Sequence, residues 1–177
     1  MLKIGGRPLK SKYVQYYVEG KDEEKVIDVL KSKLRVIKAG KVQVLNVEDR
    51  EISDMRLRTL NMGTMVVLVF DTDTGSVDVL RKNIDILRKC PSVSEVVLVP
   101  QVANLEDELV RSCNIKKVEE LLNSESKAKF KSELIRISNL DKKLKEHRFD
   151  INKFWSGTPS SVYSGIKNQA EKIKILK

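Results

Sequence analysis

At 177 residues, 41% apolar and 33% charged, the chain is long enough to bury a core of its own and short enough to form one domain with at most an appended subdomain. It has no apolar run of bilayer-spanning length and no signal-peptide-like apolar start. Its two cysteines, Cys90 and Cys113, form no Cys-x-x-Cys pair and stand apart from the single His147, so the expectation is a reduced, cytoplasmic protein with no membrane association and no zinc site.

The net charge of +9 is unevenly spread. Residues 71–110 hold four Lys/Arg against eight Asp/Glu, whereas residues 111–150 hold eleven against seven and residues 151–177 five against one. A basic chain with one acidic island is the charge pattern of a metal enzyme acting on a polyanion, although solvated Lys-rich helices alone produce the same balance.

In chain order, residues 1–12 read as a basic, irregular arm. Tyr13–Val18 reads as a strand that ends at Glu19-Gly20-Lys21-Asp22. From Asp22, a candidate N-cap, the period becomes helical, with Val26, Ile27, Leu30 and Leu34 on one face. A second strand is expected over Lys41–Val47, and a short helix within Glu48–Gly63 around Met55, Leu57 and Leu60.

Val66–Phe70 is an unbroken apolar run, the pattern of a strand buried on both faces of a parallel sheet. It stops at Asp71 and Asp73, with Gly75 placed for a tight turn. Two acids one residue apart at a strand's carboxyl end can share a cation, and either of them can instead cap the next helix. That helix is expected over Ser76–Lys89 with Val77, Leu80, Ile84 and Leu87 inward, then a fourth strand over Glu95–Val99 and a capped helix from Asn104 to Cys113.

Strand and helix alternate up to this point, so residues 13–113 are expected to form a doubly wound, mostly parallel four-stranded α/β sheet. Residues 114–177 read as a basic helical extension packed on it. Its helices are expected over Lys116–Leu122, Lys127–Ile137, Leu140–His147 and Thr158–Leu176, the last with Val162, Ile166, Ala170 and Ile173 at helical spacing. The only Trp, Trp155, is a candidate core anchor, and less readily a base-stacking platform.

Tyr17-Val18-Glu19-Gly20-Lys21-Asp22-Glu23, followed two strands later by Val69-Phe70-Asp71-Thr72-Asp73-Thr74-Gly75, resembles the two motifs of the Toprim domain. That domain occurs in topoisomerases, bacterial primases, the ribonuclease that matures 5S ribosomal RNA and OLD-family nucleases. The match covers residues 13–100. Glu23 stands where many members have Asp, and the further acid that often follows the second motif has only Asp78 or the 106–108 cluster as candidates.

The resemblance implies a Toprim-like fold and a metal-dependent nuclease acting on DNA or RNA, in phage defence or RNA processing. Glu19, Lys21, Asp71 and Asp73 would be catalytic, and Mg2+ or Mn2+ would be held by Glu19, Asp71, Asp73 and Glu106. Some such nucleases work beside an ATPase, and this chain has no Walker A motif, so an ATPase partner is a further expectation.

The residues support that chemistry directly. Phosphoryl transfer to water needs a cation on the scissile phosphate, and magnesium takes one or two carboxylates plus water. Glu19 could ligate the metal or take a proton from water. Lys21 could hold a phosphate or be plain surface, and Glu106 could be a further ligand or, the preferred reading, cap and charge the helix that it heads. Lys129, Lys131, Arg136 and Lys167 are the candidate nucleic-acid contacts. Two other readings stand beside this one. The first is a Toprim-like scaffold that binds nucleic acid or a partner without cutting. The second is a haloacid-dehalogenase-like phosphatase with Asp71 as nucleophile and Asp73 as acid/base, although in that family the motif opens the domain.

Overall fold

The computed structural model describes residues 10–175, so most of the expected basic arm lies outside the described residues. Four strands, β1 (Tyr13–Val18), β2 (Lys41–Val44), β3 (Thr64–Asp71) and β4 (Val93–Gln101), form one all-parallel sheet in the order β2-β1-β3-β4. The described helices are α1 (Lys21–Ser32), α2 (Asp54–Arg58), α3 (Asp78–Lys89), α4 (Leu105–Ser112), α5 (Lys127–Arg136) and α6 (Leu140–Glu146). The expected doubly wound α/β class is therefore what the chain adopts.

The period-two geometry of a strand explains why β3 carries no polar alternation. Met65, Val67 and Val69 point into one core, shared with Val26, Ile27 and Leu30 of α1, Leu105 and Leu109 of α4, and Phe130 and Leu134 of α5. Val66, Leu68 and Phe70 point into the other, against Leu80, Ile84 and Leu87 of α3. Residues beyond 114 belong to the first core through Phe130, Leu134, Leu140, Leu144, Phe154 and Trp155, so the extension is built into the α/β unit. Among the described residues no helix is long and apolar enough to cross a membrane.

Besides end shifts of two or three residues, as in β2, which stops at Val44 rather than Val47, and β4, which runs from Val93 to Gln101, three features differ from the sequence reading. Gly20, not Asp22, occupies the N-cap of α1, and no side chain caps that helix. Residues Val118–Leu121 form a single 3-10 turn where a longer helix was expected.

The third difference is the largest. Thr158–Leu176 is not a helix: Ser161–Tyr163 and Ala170–Lys172 are isolated 3-10 turns joined by irregular chain, and Leu176 lies outside the described residues. Pro159 and Gly165 interrupt the segment, and Ser161 has a φ of 56°, so the apolar spacing was read across residues that break helices. The segment instead wraps the exposed edge of β4. Tyr163 and Ile166 enter the α3 core, whereas Ala170 and Ile173 enter the opposite one. At the crossing, Gln169 N donates to Leu98 O at 2.8 Å and Leu98 N donates to Gln169 Oε1 at 2.9 Å. An edge strand with free backbone groups invites foreign pairing, and this wrap occupies the edge at Leu98.

Candidate functional site

From β1 the chain first turns to one side, to β2, and then returns across β1 to place β3 on the other side. The two connections diverge at the carboxyl ends of β1 and β3, where α/β sheets open a crevice. Tyr17 is paired with Leu68, so Glu19 and Asp71 follow within two and three residues of that pair. Asp73 lies on the loop beyond β3, and Gly75 turns that loop with a φ of 75°. Helix α3 begins only at Asp78 with Val77 at its N-cap, so neither Asp71 nor Asp73 caps it.

Asp71 is held from one side. Gln101 Nε2 at the end of β4 donates to Asp71 Oδ1 at 2.6 Å, and Trp155 Nε1 donates to Gln101 Oε1 at 3.2 Å. Burial first, then the charge of Glu19, pushes the Asp71 carboxyl up to about 8, with the Gln101 hydrogen bond pulling the other way. Glu19 is raised too, mainly by burial; a backbone hydrogen bond at Asp71 opposes this, and the charges of Asp73, Asp49 and Asp22 add to it. Asn46 Nδ2 donates to Glu19 Oε1 at 3.1 Å, while Glu19 Oε2 is buried with no partner. Asp73 is exposed, with Asn104 Nδ2 3.4 Å from its Oδ2.

Two more acids are buried beside these, Glu23, which the sequence offered only as a variant position of the first motif, and Glu48, which it did not single out. Glu23 in the first turn of α1 is 5% exposed, and burial with the adjacent Asp22 carboxyl raises its proton affinity. A Cβ on Gly20 would stand 2.7 Å from Asp22 Oδ1 and 3.1 Å from Glu23 Oε2, so glycine there leaves room for both carboxyls. Glu48, past β2, is also 5% exposed and is pushed up to about 7 by burial. Its Oε1 accepts from Tyr163 Oη at 2.5 Å and from Thr74 Oγ1 at 3.1 Å, which ties the acid-bearing loop to the C-terminal segment.

Glu106 is buried in the first turn of α4, and its Oε1 lies 2.8 Å from Lys131 Nζ. The cap of that helix is Asn104, whose Oδ1 accepts from Asp107 N, so the preferred reading of Glu106 as the cap does not hold. Its charge reaches Asp71 and helps raise it. Glu108 is turned away from the crevice and satisfied by Val102 N, Trp155 N and Arg111. Lys21 pairs with Glu24 at 2.6 Å on the exposed side of α1, the arrangement of a surface lysine. Lys131 is committed to Glu106 and so stands apart from the other basic candidates: Lys129 and Arg136 are exposed on α5, while Lys167 is on the α3 side of the sheet.

Glu106→Gln tests whether the ion pair holds the fold. Lys131 is 52% exposed on its side chain and can turn to water, so the expected cost is about 1 kcal/mol or less in thermal or denaturant unfolding. A loss of several kcal/mol would mean that the pair is an essential buried contact.

Several acids crowd one crevice, and the buried oxygens Glu19 Oε2, Glu23 Oε2 and Glu48 Oε2 have no hydrogen-bond partner. Buried carboxylate oxygens without donors are costly, and a hard divalent cation is the ligand whose chemistry answers them. Among the described residues no three His, Cys, Asp or Glu side chains stand close enough to enclose an ion together. The donor set therefore fits a cation taking one or two carboxylates and water, as magnesium does, rather than an all-protein cage. No family model matches the chain, and no curated protein or solved structure does either.

Proposed function

We propose that the chain is a divalent-metal-dependent nuclease of Toprim type that hydrolyses phosphodiester bonds of DNA or RNA. The observation that carries the reading is the meeting of Glu19 and Asp71 at the β1/β3 switch point, with raised proton affinities and an orphaned Glu19 oxygen. One or two of Glu19, Asp71 and Asp73, with water completing the shell, would hold Mg2+ or Mn2+, which would supply charge to the scissile phosphate. Glu106, already paired with Lys131, would add negative potential from behind Asp71.

The chain's own residues supply positioning and proton transfer. Gln101, oriented by Trp155, fixes Asp71. Asn46 engages one oxygen of Glu19 and leaves the other free to take a proton from water. The partner would be a nucleic acid, with an ATPase subunit and a cytoplasmic role in phage defence or RNA processing as the wider setting. The absence of a three-carboxylate enclosure favours, as the second reading, a Toprim-like protein that binds nucleic acid without cutting.

Labelled DNA and RNA incubated with Mg2+, Mn2+ or EDTA separate these readings. Cleavage with either metal and none with EDTA is expected. Metal-dependent stabilisation without cleavage would leave only the binding protein. Hydrolysis of small phosphate esters with nucleic acid untouched would restore the phosphatase reading.

A further inference from the structure

Away from the acids, Arg81, Ile84, Asp85 and Arg88 lie at i, i+3, i+4 and i+7 along α3 and therefore share one helix face. With Lys167 on the wrapped C-terminal segment they line a cavity of about 350 Å3. Its apolar wall comes from Ile84, Leu98 and Ile166. The opposing wall is held in place by the two hydrogen bonds between Gln169 and Leu98.

Among the described residues, the side chains of Arg81, Arg88 and Lys167 make no hydrogen bond or ion pair within 4.0 Å, and Asp85 pairs with none of them. Three cations against one acid leave the cleft net positive. Arg81 is in the first turn of α3, just after the loop bearing Asp73, so the row starts near the rim of the acidic crevice. Seven residues of helix separate Arg81 from Arg88, a rise of about 10 Å that matches about three nucleotides of a strand.

We propose that this cleft binds the phosphodiester backbone of a nucleic-acid strand and leads it to the crevice. Guanidinium groups match phosphate oxygens in pairs, and the apolar wall suits the sugar and base faces. The inference rests on the reading of the crevice as a nucleic-acid site. It assigns the contact to the α3 face rather than to Lys129 and Arg136 on α5.

The experiment measures anisotropy of labelled twelve-nucleotide DNA and RNA strands with the full chain in EDTA, across a salt series. Arg81→Ala/Arg88→Ala is compared with Lys129→Ala/Arg136→Ala; all four positions are exposed on helices, where alanine preserves the fold. The cleft variant should bind about tenfold or more weakly at low salt, with a log–log salt slope reduced by about two, while the α5 variant stays within about twofold of the parent.

Equal losses in both variants, or none in the cleft variant, would overturn the proposal, as would a parent that binds neither strand. Displacement by inorganic phosphate or a mononucleotide at concentrations comparable to the strand would mark a small-anion site and overturn it too. The assay contains no metal, so cleft binding without metal-dependent cleavage fails only the nuclease reading. Cleavage by a chain whose cleft variant binds normally fails only this inference.

Discussion

Asp71→Asn is expected to melt at a higher temperature than the metal-free parent above neutral pH, and to lose phosphodiester cleavage by about 1,000-fold or more. The stability half follows from linkage. Asp71 has an ordinary value of 3.8 and is pushed up to about 8 in the folded chain, so the native state binds its proton more tightly than the unfolded state does. The contribution of this group to stability is then largest below about pH 4, falls as pH rises toward 8, and is gone above it. Glu48, raised from 4.5 to about 7, adds a slope of the same sign. An asparagine carries no charge to desolvate, and its Oδ1 can still accept from Gln101. The rise from 3.8 to about 8 sets an upper bound of about 6 kcal/mol, so the expected gain is a few kcal/mol at pH 9 and close to nothing at pH 4, read as melting temperature in EDTA across pH. Magnesium or manganese should raise the parent's melting temperature at high pH and leave the variant's unchanged. If Asp71→Asn unfolds the chain and the parent ignores metal, Asp71 is a structural residue and the nuclease proposal falls with it.

Asp73→Asn should lose the metal response and cleavage as well. Its stability gain should be smaller, because Asp73 is exposed and has less desolvation to relieve. Glu19→Gln should lose cleavage even where some metal stabilisation survives.

The fold was legible because its signal is periodic. Val66–Phe70 could be read as doubly buried from its lack of alternation, and Val77, Leu80, Ile84 and Leu87 as one helix face from their spacing; all four side chains are buried where α3 meets the sheet. The meeting of Glu19 with Asp71 was legible too, since acids at the carboxyl ends of neighbouring parallel strands share a crevice. The residues that hold these acids were not. Gln101 and Asn46 are single positions with no periodicity around them, and their partners Asp71 and Glu19 lie 30 and 27 residues away. The C-terminal segment shows the opposite failure. Ile166, Ala170 and Ile173 are buried as expected, but Val162 is exposed and the three buried residues serve two different cores on either side of β4, so the apolar spacing had no helix behind it.

Trp155 joins the two kinds of information. Its burial was expected, and it is 1% exposed, packed on Phe154 with ring centroids 4.5 Å apart. Trp155→Ala is therefore expected to cost about 3–5 kcal/mol in denaturant unfolding, the range for emptying a large aromatic site. The indole N–H has a second role, 54 residues away in sequence. An amide side chain can present either its oxygen or its nitrogen, and the bond from Trp155 to Gln101 Oε1 turns the nitrogen toward Asp71. Trp155→Phe keeps a ring in the core but deletes that donor, leaving the buried Gln101 oxygen unpaired at a cost of about 1–3 kcal/mol. The Gln101 hydrogen bond lowers the Asp71 pKa, so losing its orientation should raise that value further. The acidic limb of the pH–rate profile should then move to higher pH in Trp155→Phe, and Gln101→Leu should move it in the same direction. Gln101→Glu should move it further still, since a second carboxylate beside Asp71 adds repulsion to the lost donor. A profile that stays in place in Trp155→Phe while stability drops would mean that the indole only fills space, and that Gln101 orients itself without it.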